Sequence, residues 1–313
     1  MFSNFVVAVS AVIPIFVLIS IGLFVKRAKL MTPEELKHTN RMVFRVFFFC
    51  MMFANIYRAD FEDGFDPSLV VFGMTAVTLL FLASMAFSMW FEKDNRKRGS
   101  MAQAIFRSNF VILGIPIVVN IFGEDAALIP TMMIAAIVPL YNIFAVFELE
   151  MFRGGKFQLI PILIRVLKNP MIDGIILGAL CRLLPFPIPD PILKPIAQVG
   201  AATTPVALII LGASFEKGGI ADSRRDLWAS TIARLIVAPA IMLTAAALLG
   251  FRGAEFVTLI AIFATPCAVA SYAMAQQMGA DAALAGNCVV FTSALSAFTM
   301  FGWVFVTKTL GLF

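Results

Sequence analysis

The chain has 313 residues, of which 61% are hydrophobic and only 14% are charged, and its formal net charge is +5. Its mean hydropathy is +0.94, whereas about a quarter of the residues in a soluble globular domain are charged. One water-soluble core cannot bury this much apolar surface, so the composition predicts an all-α polytopic membrane protein. The excess of basic residues lies in short loops rather than in a basic helix, so we expect no nucleic-acid partner.

Cysteine and histidine give no sign of a metal site, a disulfide framework or a cofactor. The chain has four cysteines and a single histidine. The cysteines lie in or beside apolar segments without CxxC spacing, and His38 lies in a polar loop. We therefore expect no bound metal and no resident cofactor.

Apolar windows of about twenty residues predict ten transmembrane helices. The first five lie near 5–25, 40–58, 68–91, 101–122 and 126–150. The second five lie near 169–184, 194–215, 227–249, 254–278 and 283–308. The first window has no basic residue before it and no cleavage site after it, so we expect a retained helix rather than a signal peptide.

The distribution of lysine and arginine predicts the orientation. Basic clusters at 26–29, 93–98 and 224–225 fall in alternate loops, and such loops face the cytoplasm. This bias predicts a multi-pass protein of the cell (inner) membrane, with both termini outside if the count of ten spans is right.

The span count also predicts an internal repeat. Residues 1–151 and 169–313 each hold five predicted spans, and a basic cytoplasmic linker, 152–168, joins them. Because five is odd, the two halves enter the membrane in opposite senses, which is the geometry of an inverted repeat.

The fourth span of each half has a proline near its middle. Gly114 and Pro116 lie in "NFVILGIPIVVN", and Pro266 lies in "FATPCAVAS". Proline removes a backbone donor and clashes with the preceding turn, which exposes polar groups that hydrocarbon cannot satisfy. A single such proline more often marks a plain kink, but matching interruptions in corresponding spans indicate a transporter binding site. We expect interruptions at both places.

Several segments resemble the auxin efflux carrier (AEC) family, especially its shorter bacterial malonate or malate permeases. They are "GIPIV" in span four, "NPMIDGIILGAL" in span six, "TTPVALIILGASF" in span seven, and "MGADAALAGNCVVFTSALSAFT" leading through span ten. The resemblance covers essentially the whole chain, but the long hydrophilic loop of the plant carriers is replaced by the short linker. It implies that broken helices four and nine cross at mid-membrane. It also implies a scaffold of spans one, two, six and seven beside a moving transport domain, an elevator-like arrangement.

Two half-helix N-termini at such a crossing would favour a carboxylate. The predicted lining is polar and uncharged, and Asn109 is the first choice for a donor to the anion, although its amide could equally hold the unwound backbone. The predicted substrate-binding residues are Asn109, Gly114, Pro116, Asn120, Thr265, Pro266, Ser271, Tyr272 and Arg234.

The scaffold side offers possible wall residues. These are Asn55, Thr203 and Thr204, although the two threonines precede Pro205 and could instead bond the carbonyl groups that this proline frees.

Charged residues inside the spans are few and therefore informative. Arg234 lies about 12 Å along span eight at 1.5 Å per residue. It could be a counter-charge for the anion, a partner of Glu148, or an arginine that snorkels to the interface. Arg107 is expected at the inner interface.

The favoured function is a secondary transporter of small organic anions such as malonate or malate. A carrier of another carboxylate or an auxin-like weak acid, with uniport or ion coupling, is the alternative; an intramembrane enzyme and a channel are less favoured. No paired acids, HExxH motif or filter repeat is visible in the spans. Coupling to Na⁺ or H⁺ stays open, and the expected partners are the anion, membrane lipid and a second copy in a homodimer.

Overall fold

The computed structural model describes residues 2–58, 67–153, 159–184, 187–215 and 222–313, and it describes side chains from Ile13 onward except that of Leu159. Helices build nearly all of these ranges. The first eight are α1 (Phe2–Arg27), α2 (Pro33–Met42), α3 (Phe48–Tyr57), α4 (Pro67–Phe91), α5 (Asn95–Phe106), α6 (Phe110–Phe122), α7 (Leu128–Arg153) and α8 (Leu159–Leu167). The others are α9 (Pro170–Leu183), α10 (Asp190–Ser214), α11 (Arg224–Ile232), α12 (Ala238–Leu248), α13 (Gly253–Ala264), α14 (Ala270–Met278) and α15 (Ala282–Thr309).

Three short turns of other helical type extend these elements. The π-helical turns Val43–Phe47 and Ala233–Val237 join α2 to α3 and α11 to α12. Residues 33–57 and 224–248 therefore form two continuous helices. The 3₁₀ turn Glu124–Ala127 leads into α7.

Polar residues fix where several helices begin. Thr32 and Glu35 form a capping box at the start of α2, and Asp94 accepts from the first turn of α5. Asn169 caps α9, where proline occupies the first helical position. Asp281 accepts from the backbone N–H of Leu284 at the start of α15. Each cap satisfies a helix amide that would otherwise lack a partner.

Five helical segments in the described chain are long and apolar enough to cross a bilayer. They are Pro67–Phe91, Glu124–Arg153, Asp190–Ser214, Arg224–Leu248 and Ala282–Thr309. A helix of 25 residues is about 38 Å long at 1.5 Å per residue, which exceeds the hydrocarbon thickness of about 30 Å. The predicted all-helical character is confirmed, while the count of ten spans and the repeat stay predictions.

Helices α1 and α10 approach each other closely through small residues. A Cβ atom on Gly22 would collide with the carbonyl oxygen of Ile209, and one on Gly212 would collide with that of Ile19. Side-chain Nζ of Lys26 donates to the carbonyl oxygen of Phe215 at 2.6 Å. Glycines let helix backbones pack closely where lipid supplies no hydrophobic driving force between helices.

The predicted linker, 152–168, contains a helix that the sequence analysis did not foresee. Residues 154–158 lie outside the described ranges, but α8 occupies most of the remainder. Arg165 of α8 donates from Nε to Oε2 of Glu150 at 2.6 Å, and Glu150 also accepts from Arg153 at 3.3 Å. The ion pair with Arg165 attaches α8 to the end of α7, and Arg153 supports the same carboxylate from α7 itself.

Candidate functional site

Two interrupted helices meet and pair their backbones. Residues 107–109 separate α5 from α6, and residues 265–269 separate α13 from α14. The backbone N–H of Asn109 donates to the carbonyl oxygen of Pro266 at 2.8 Å, and that of Ala268 donates to the carbonyl oxygen of Arg107 at 3.2 Å. Ser108 and Cys267 form an isolated antiparallel bridge. We call this pair of interruptions the crossing.

The predicted interruption at Pro266 is confirmed, but the one at Gly114 and Pro116 is wrong. Both of those residues lie inside the continuous helix α6, and the break comes earlier, at residues 107–109. The interruption does not need a proline of its own, because the partner segment satisfies its backbone groups. Pro116 removes only one intrahelical bond, which a transmembrane helix tolerates.

Arg234 bonds the carbonyl ends of both broken helices. Its side chain is fully buried and starts from the π-helical turn Ala233–Val237. Nε donates to the carbonyl oxygen of Thr265 at 2.8 Å and Nη2 to that of Ile262 at 3.0 Å. Nη1 donates to the carbonyl oxygens of Ile105 at 3.1 Å and Phe106 at 3.4 Å. One guanidinium thus holds the C-terminal ends of α13 and α5, where a positive charge is favoured.

This geometry changes the interpretation of Arg234. The pairing with Glu148 that the sequence suggested is not formed, because Glu148 has no hydrogen-bond partner at either oxygen within the described residues. The bonds of Arg234 go to backbone carbonyl groups instead. Its direct structural role is to hold the crossing together.

The N-terminal ends at the crossing have no side-chain cap. Neither Asn109, at the start of α6, nor Val269, at the start of α14, makes a capping hydrogen bond. Beside them, Nδ2 of Asn109 and the hydroxyl groups of Thr265 and Ser271 are buried without a partner among the described residues. Uncapped amides and unused donors beside two positive dipole ends form an arrangement that suits an anion.

Arg107 is the site residue that the sequence analysis misplaced. It was expected at the membrane interface, but only 4% of it is exposed, directly at the crossing. Its guanidinium donates to Oδ1 of Asn142 at 2.5 Å, to Sδ of Met274 at 2.7 Å and to Oε1 of Gln103 at 3.4 Å. Helix α5 ends at Phe106, and the side chain of Arg107 that follows is buried at the crossing. Hydropathy does not predict where a helix is interrupted in this way.

Tyr141 and Thr292 also support the crossing and were not foreseen. Oγ of Ser108 donates to the hydroxyl of Tyr141 at 3.1 Å. The backbone N–H of Cys267 donates to Oγ1 of Thr292 at 3.0 Å. These bonds satisfy polar groups of the interruptions from α7 and α15. Thr292 lies within a segment that resembles the family, but neither residue was singled out from the sequence.

Two cavities lie toward opposite ends of α10. The first, which we call the Lys26 cavity, has a volume of about 550 Å³, and its lining includes Lys26, Lys29, Phe215, Tyr272, Gln276 and Asn287. The second, the Thr204 cavity, has a volume of about 440 Å³, and its lining includes Asn55, Arg58, Val111, Thr131, Ala197 and Thr204. The first borders α14, which follows one interruption, and the second borders α6, which follows the other.

The predicted site residues fall into three groups. Asn109, Thr265, Pro266, Ser271 and Arg234 meet at the crossing. Tyr272 lines the Lys26 cavity, Asn55 and Thr204 line the Thr204 cavity, and Thr203 is fully buried with an unpartnered hydroxyl in the described chain. The structure does not bring Pro116 and Asn120 to the crossing, since both are exposed on α6, and Gly114 faces the ring of Phe110.

A hydrogen-bonded contact closes one side of the Lys26 cavity. Nδ2 of Asn40, on α2, donates to Oε1 of Gln276 at 2.5 Å and to the carbonyl oxygen of Ala273 at 3.3 Å. Nε2 of Gln276 donates to the hydroxyl of Tyr272 at 3.2 Å. Within the described ranges, no group of histidine, cysteine or acidic residues could hold a metal ion.

Comparison with known proteins adds an independent line of support. The model of a family described as "Membrane transport protein" matches residues 7–160 and 156–304. A protein of Methanothermobacter thermautotrophicus named as an uncharacterized transporter is 22% identical over 304 residues, covering 96% of this chain and 98% of that protein. An uncharacterized transporter of Methanocaldococcus jannaschii is 23% identical over 315 residues, covering 95% and 99%. Matches of this extent, on a chain rich in apolar helices, show a multi-pass membrane protein that belongs to the auxin efflux carrier family of membrane transport proteins.

Proposed function

We propose that this protein is a secondary carrier of small organic anions, with carboxylates such as malonate or malate as the substrate class. The observation that carries the proposal is the crossing, where two uncapped helix N-termini meet beside the unpartnered amide of Asn109. Donors that converge on a buried position, with positive dipole ends behind them, recognise a carboxylate without an ion pair.

The charge of the crossing supports an anion over a cation. Arg107 and Arg234 are both buried there, and the bonds described for them go to neutral acceptors: an amide, a thioether and backbone carbonyl groups. Buried charge is costly unless it is compensated. An anion at the N-terminal ends would supply compensating charge.

The two cavities support alternating access. The Lys26 cavity borders α1, α2 and α10 on one side and α14 and α15 on the other, whereas the Thr204 cavity separates α3 and α10 from α6 and α7. In the proposed elevator-like mechanism, the crossing moves with α6, α7, α14 and α15 along α10. The bound anion is then exposed first to one cavity and then to the other.

The proposed topology has ten spans in two inverted repeats, 1–151 and 169–313. Its support is that the two interruptions fall in the fourth predicted span of each half and pair in antiparallel sense. Both termini then lie on the outer side of the cell membrane, and the basic loops lie on its cytoplasmic side.

We favour transport over chemistry at this site. Apart from the buried thiol of Cys267, the side-chain groups described at the crossing are amides, hydroxyls and guanidinium groups, which bind a carboxylate without transforming it. The second candidate, a carrier of another carboxylate or an auxin-like weak acid, uses the same donors and differs only in substrate shape.

A ligand panel tests the proposal. The purified protein is heated in detergent with malonate, malate and lactate, and with neutral and cationic compounds of similar size. We expect the dicarboxylates to raise the midpoint of unfolding in a concentration-dependent way, because a ligand that binds only the folded state stabilises it. Shifts with neutral or cationic compounds alone would overturn the proposal.

A further inference from the structure

The buried acid Glu148 has no role in the anion site described above. Its exposure is 0%, and neither carboxylate oxygen has a hydrogen-bond partner among the described residues. It lies on α7, six residues after Asn142, or about 9 Å along the helix. An acid in this position is unlike Glu150, two residues on, which is bonded to Arg165 and Arg153.

One face of α5 leads from Glu148 to the crossing and carries two polar residues, Gln103 and Arg107. A Cβ atom placed on Gly99 of α5 would lie 3.6 Å from Oε1 of Glu148, so α5 passes directly beside the acid. Gln103 and Arg107 follow at intervals of four residues, and residues four apart share one face of a helix. Oε1 of Gln103 accepts from Arg107 at 3.4 Å, while its Nε2 is buried without a partner in the described chain.

Arg107 is the buried charge that the geometry relates to Glu148, because it bonds Asn142 on α7, six residues before the acid, and follows α5, which passes beside the acid. On α7 itself, the hydroxyl of Tyr141 accepts a hydrogen bond from Ser108, and Glu150 forms ion pairs with Arg153 and Arg165. The neighbouring helices α4 and α6 carry no ionisable side chain. Helix α5 carries Arg96, Lys97 and Arg98 in its first turn, where Lys97 bonds Asp226 and Arg98 bonds Asn95 and the carbonyl oxygen of Glu92. The other helices packed against α7 carry Arg165 on α8, Cys50 and Tyr57 on α3, Asp173, Cys181 and Arg182 on α9, Glu255 on α13 and Tyr272 on α14.

We propose that Glu148 is a proton-binding site, and that a proton held there moves together with the anion. An ionised carboxylate that is fully buried without a hydrogen-bond donor is strongly disfavoured, whereas the protonated acid is neutral. The inference rests on the proposed function for its second half only. Proton binding by Glu148 stands without it.

The two sites are linked through Arg107. When Glu148 is ionised, its negative charge compensates Arg107 and weakens the attraction of the crossing for an anion. When Glu148 holds a proton, Arg107 is left uncompensated and the anion is favoured. Linkage is reciprocal, so anion binding must in turn favour uptake of a proton by Glu148. The predicted stoichiometry is one proton taken up with each anion, which makes the carrier a symporter.

The first experiment tests proton binding without any ligand. Infrared spectra of the protein in lipid vesicles are recorded at neutral pH for the wild type and for Glu148→Gln. We expect a protonated-carboxyl stretching band in the wild type that the substitution removes. Glu150→Gln is the matched control and should leave the band in place, since Glu150 is held by two arginines. Identical carboxyl bands in wild type and Glu148→Gln would overturn the proposal.

The second experiment tests the link to the anion. Malonate binding is measured by calorimetry in buffers of different ionisation enthalpy, at a pH high enough that the infrared band of Glu148 is lost from the free wild type and malonate is doubly ionised. The wild type should show a heat that depends on the buffer, corresponding to uptake of one proton, and affinity should rise on the order of tenfold for each unit of falling pH while Glu148 is ionised in the free protein. Glu148→Gln should bind malonate with neither dependence.

The outcomes separate this inference from the proposed function. If malonate binds to the wild type with no proton uptake at a pH where Glu148 is ionised in the free protein, the symport inference fails and the anion carrier stands. If no anion of the panel binds while the infrared band is lost in Glu148→Gln, the proton site stands and the anion carrier fails.

Discussion

The backbone N–H of Asn109 donates to the carbonyl oxygen of Pro266 across 2.8 Å, which joins two residues 157 positions apart. Pro266 has no N–H of its own to return, so the second bond of the pair comes from Ala268. This connection replaces helical hydrogen bonds in both interrupted spans. It explains how unwound backbone persists at membrane depth, where an unpaired polar group would be costly.

Arg234→Met should destabilise the protein strongly. The substitution leaves carbonyl groups of α5 and α13 buried without donors, and each such group costs about 1–3 kcal/mol. We expect a loss of at least about 3 kcal/mol in the free energy of unfolding, measured by denaturant titration in detergent. Arg252→Met is the control, because that exposed arginine also donates to carbonyl groups; its effect should stay within about 0.5 kcal/mol. Equal stabilities for both variants would refute the role assigned to Arg234.

Gly212→Ala should disrupt the contact between α1 and α10. Its new methyl group would meet the carbonyl group of Ile19, whereas a Cβ atom on Gly302 of α15 meets nothing within 4 Å. Overpacking of this kind costs about 1–3 kcal/mol, whereas Gly302→Ala should be neutral or stabilising by up to about 1 kcal/mol. Denaturant unfolding of the two variants side by side checks this. The interpretation of the contact is wrong if Gly212→Ala is as stable as Gly302→Ala.

Sequence patterns predicted what depends on local composition. The helices end close to the predicted limits, and the interruption at Pro266 is where proline chemistry places it. The break beside Asn109 was placed too late, because its cause is not local: the segment unwinds where a distant partner accepts and donates its hydrogen bonds. Helix α8 was missed altogether, since nine residues are too few to form a transmembrane window.

Several polar residues of the crossing were predictable from the sequence, but its buried arginines and their roles were not. Asn109, Thr265 and Ser271 were singled out because they flank a predicted break, and they lie at the crossing. Arg234 was expected to face the anion, to pair with Glu148 or to snorkel to the interface, and its hydrogen bonds to carbonyl groups depend on where two other helices end. Arg107 was assigned to the interface because the sequence did not reveal that α5 ends at Phe106, just before this arginine. Tertiary geometry of this kind leaves no periodic signal in one sequence.

Cysteine labelling should distinguish the two ends of α10. In the proposed orientation, a reagent reaches the thiol introduced by Thr204→Cys from outside the cell through the Thr204 cavity. It reaches the thiol introduced by Ala283→Cys from the cytoplasmic side through the Lys26 cavity. We expect a membrane-impermeant maleimide to label the first only from outside and the second only in inverted vesicles. The wild type, which has four cysteines, provides the background. Labelling of both positions from the same side would exclude the two-cavity mechanism.

Malonate should change that labelling if the anion binds between the cavities. A ligand that favours one conformation shifts the population toward it. We therefore expect malonate to slow labelling at one of the two positions and to leave the other unchanged or faster. Rates that do not respond at saturating malonate would contradict alternating access at this site.

Malonate uptake by Asn109→Ala shows whether the crossing binds the anion. Because Nδ2 of Asn109 has no partner in the described chain, its loss should leave stability nearly unchanged. A lost hydrogen bond to a charged group is worth about 1.5–3 kcal/mol, so uptake at low malonate should fall about tenfold or more. Asn120→Ala, on the exposed face of the same helix, should transport like the wild type. Uptake by Asn109→Ala equal to that of Asn120→Ala, at equal amounts of folded protein, would contradict the account.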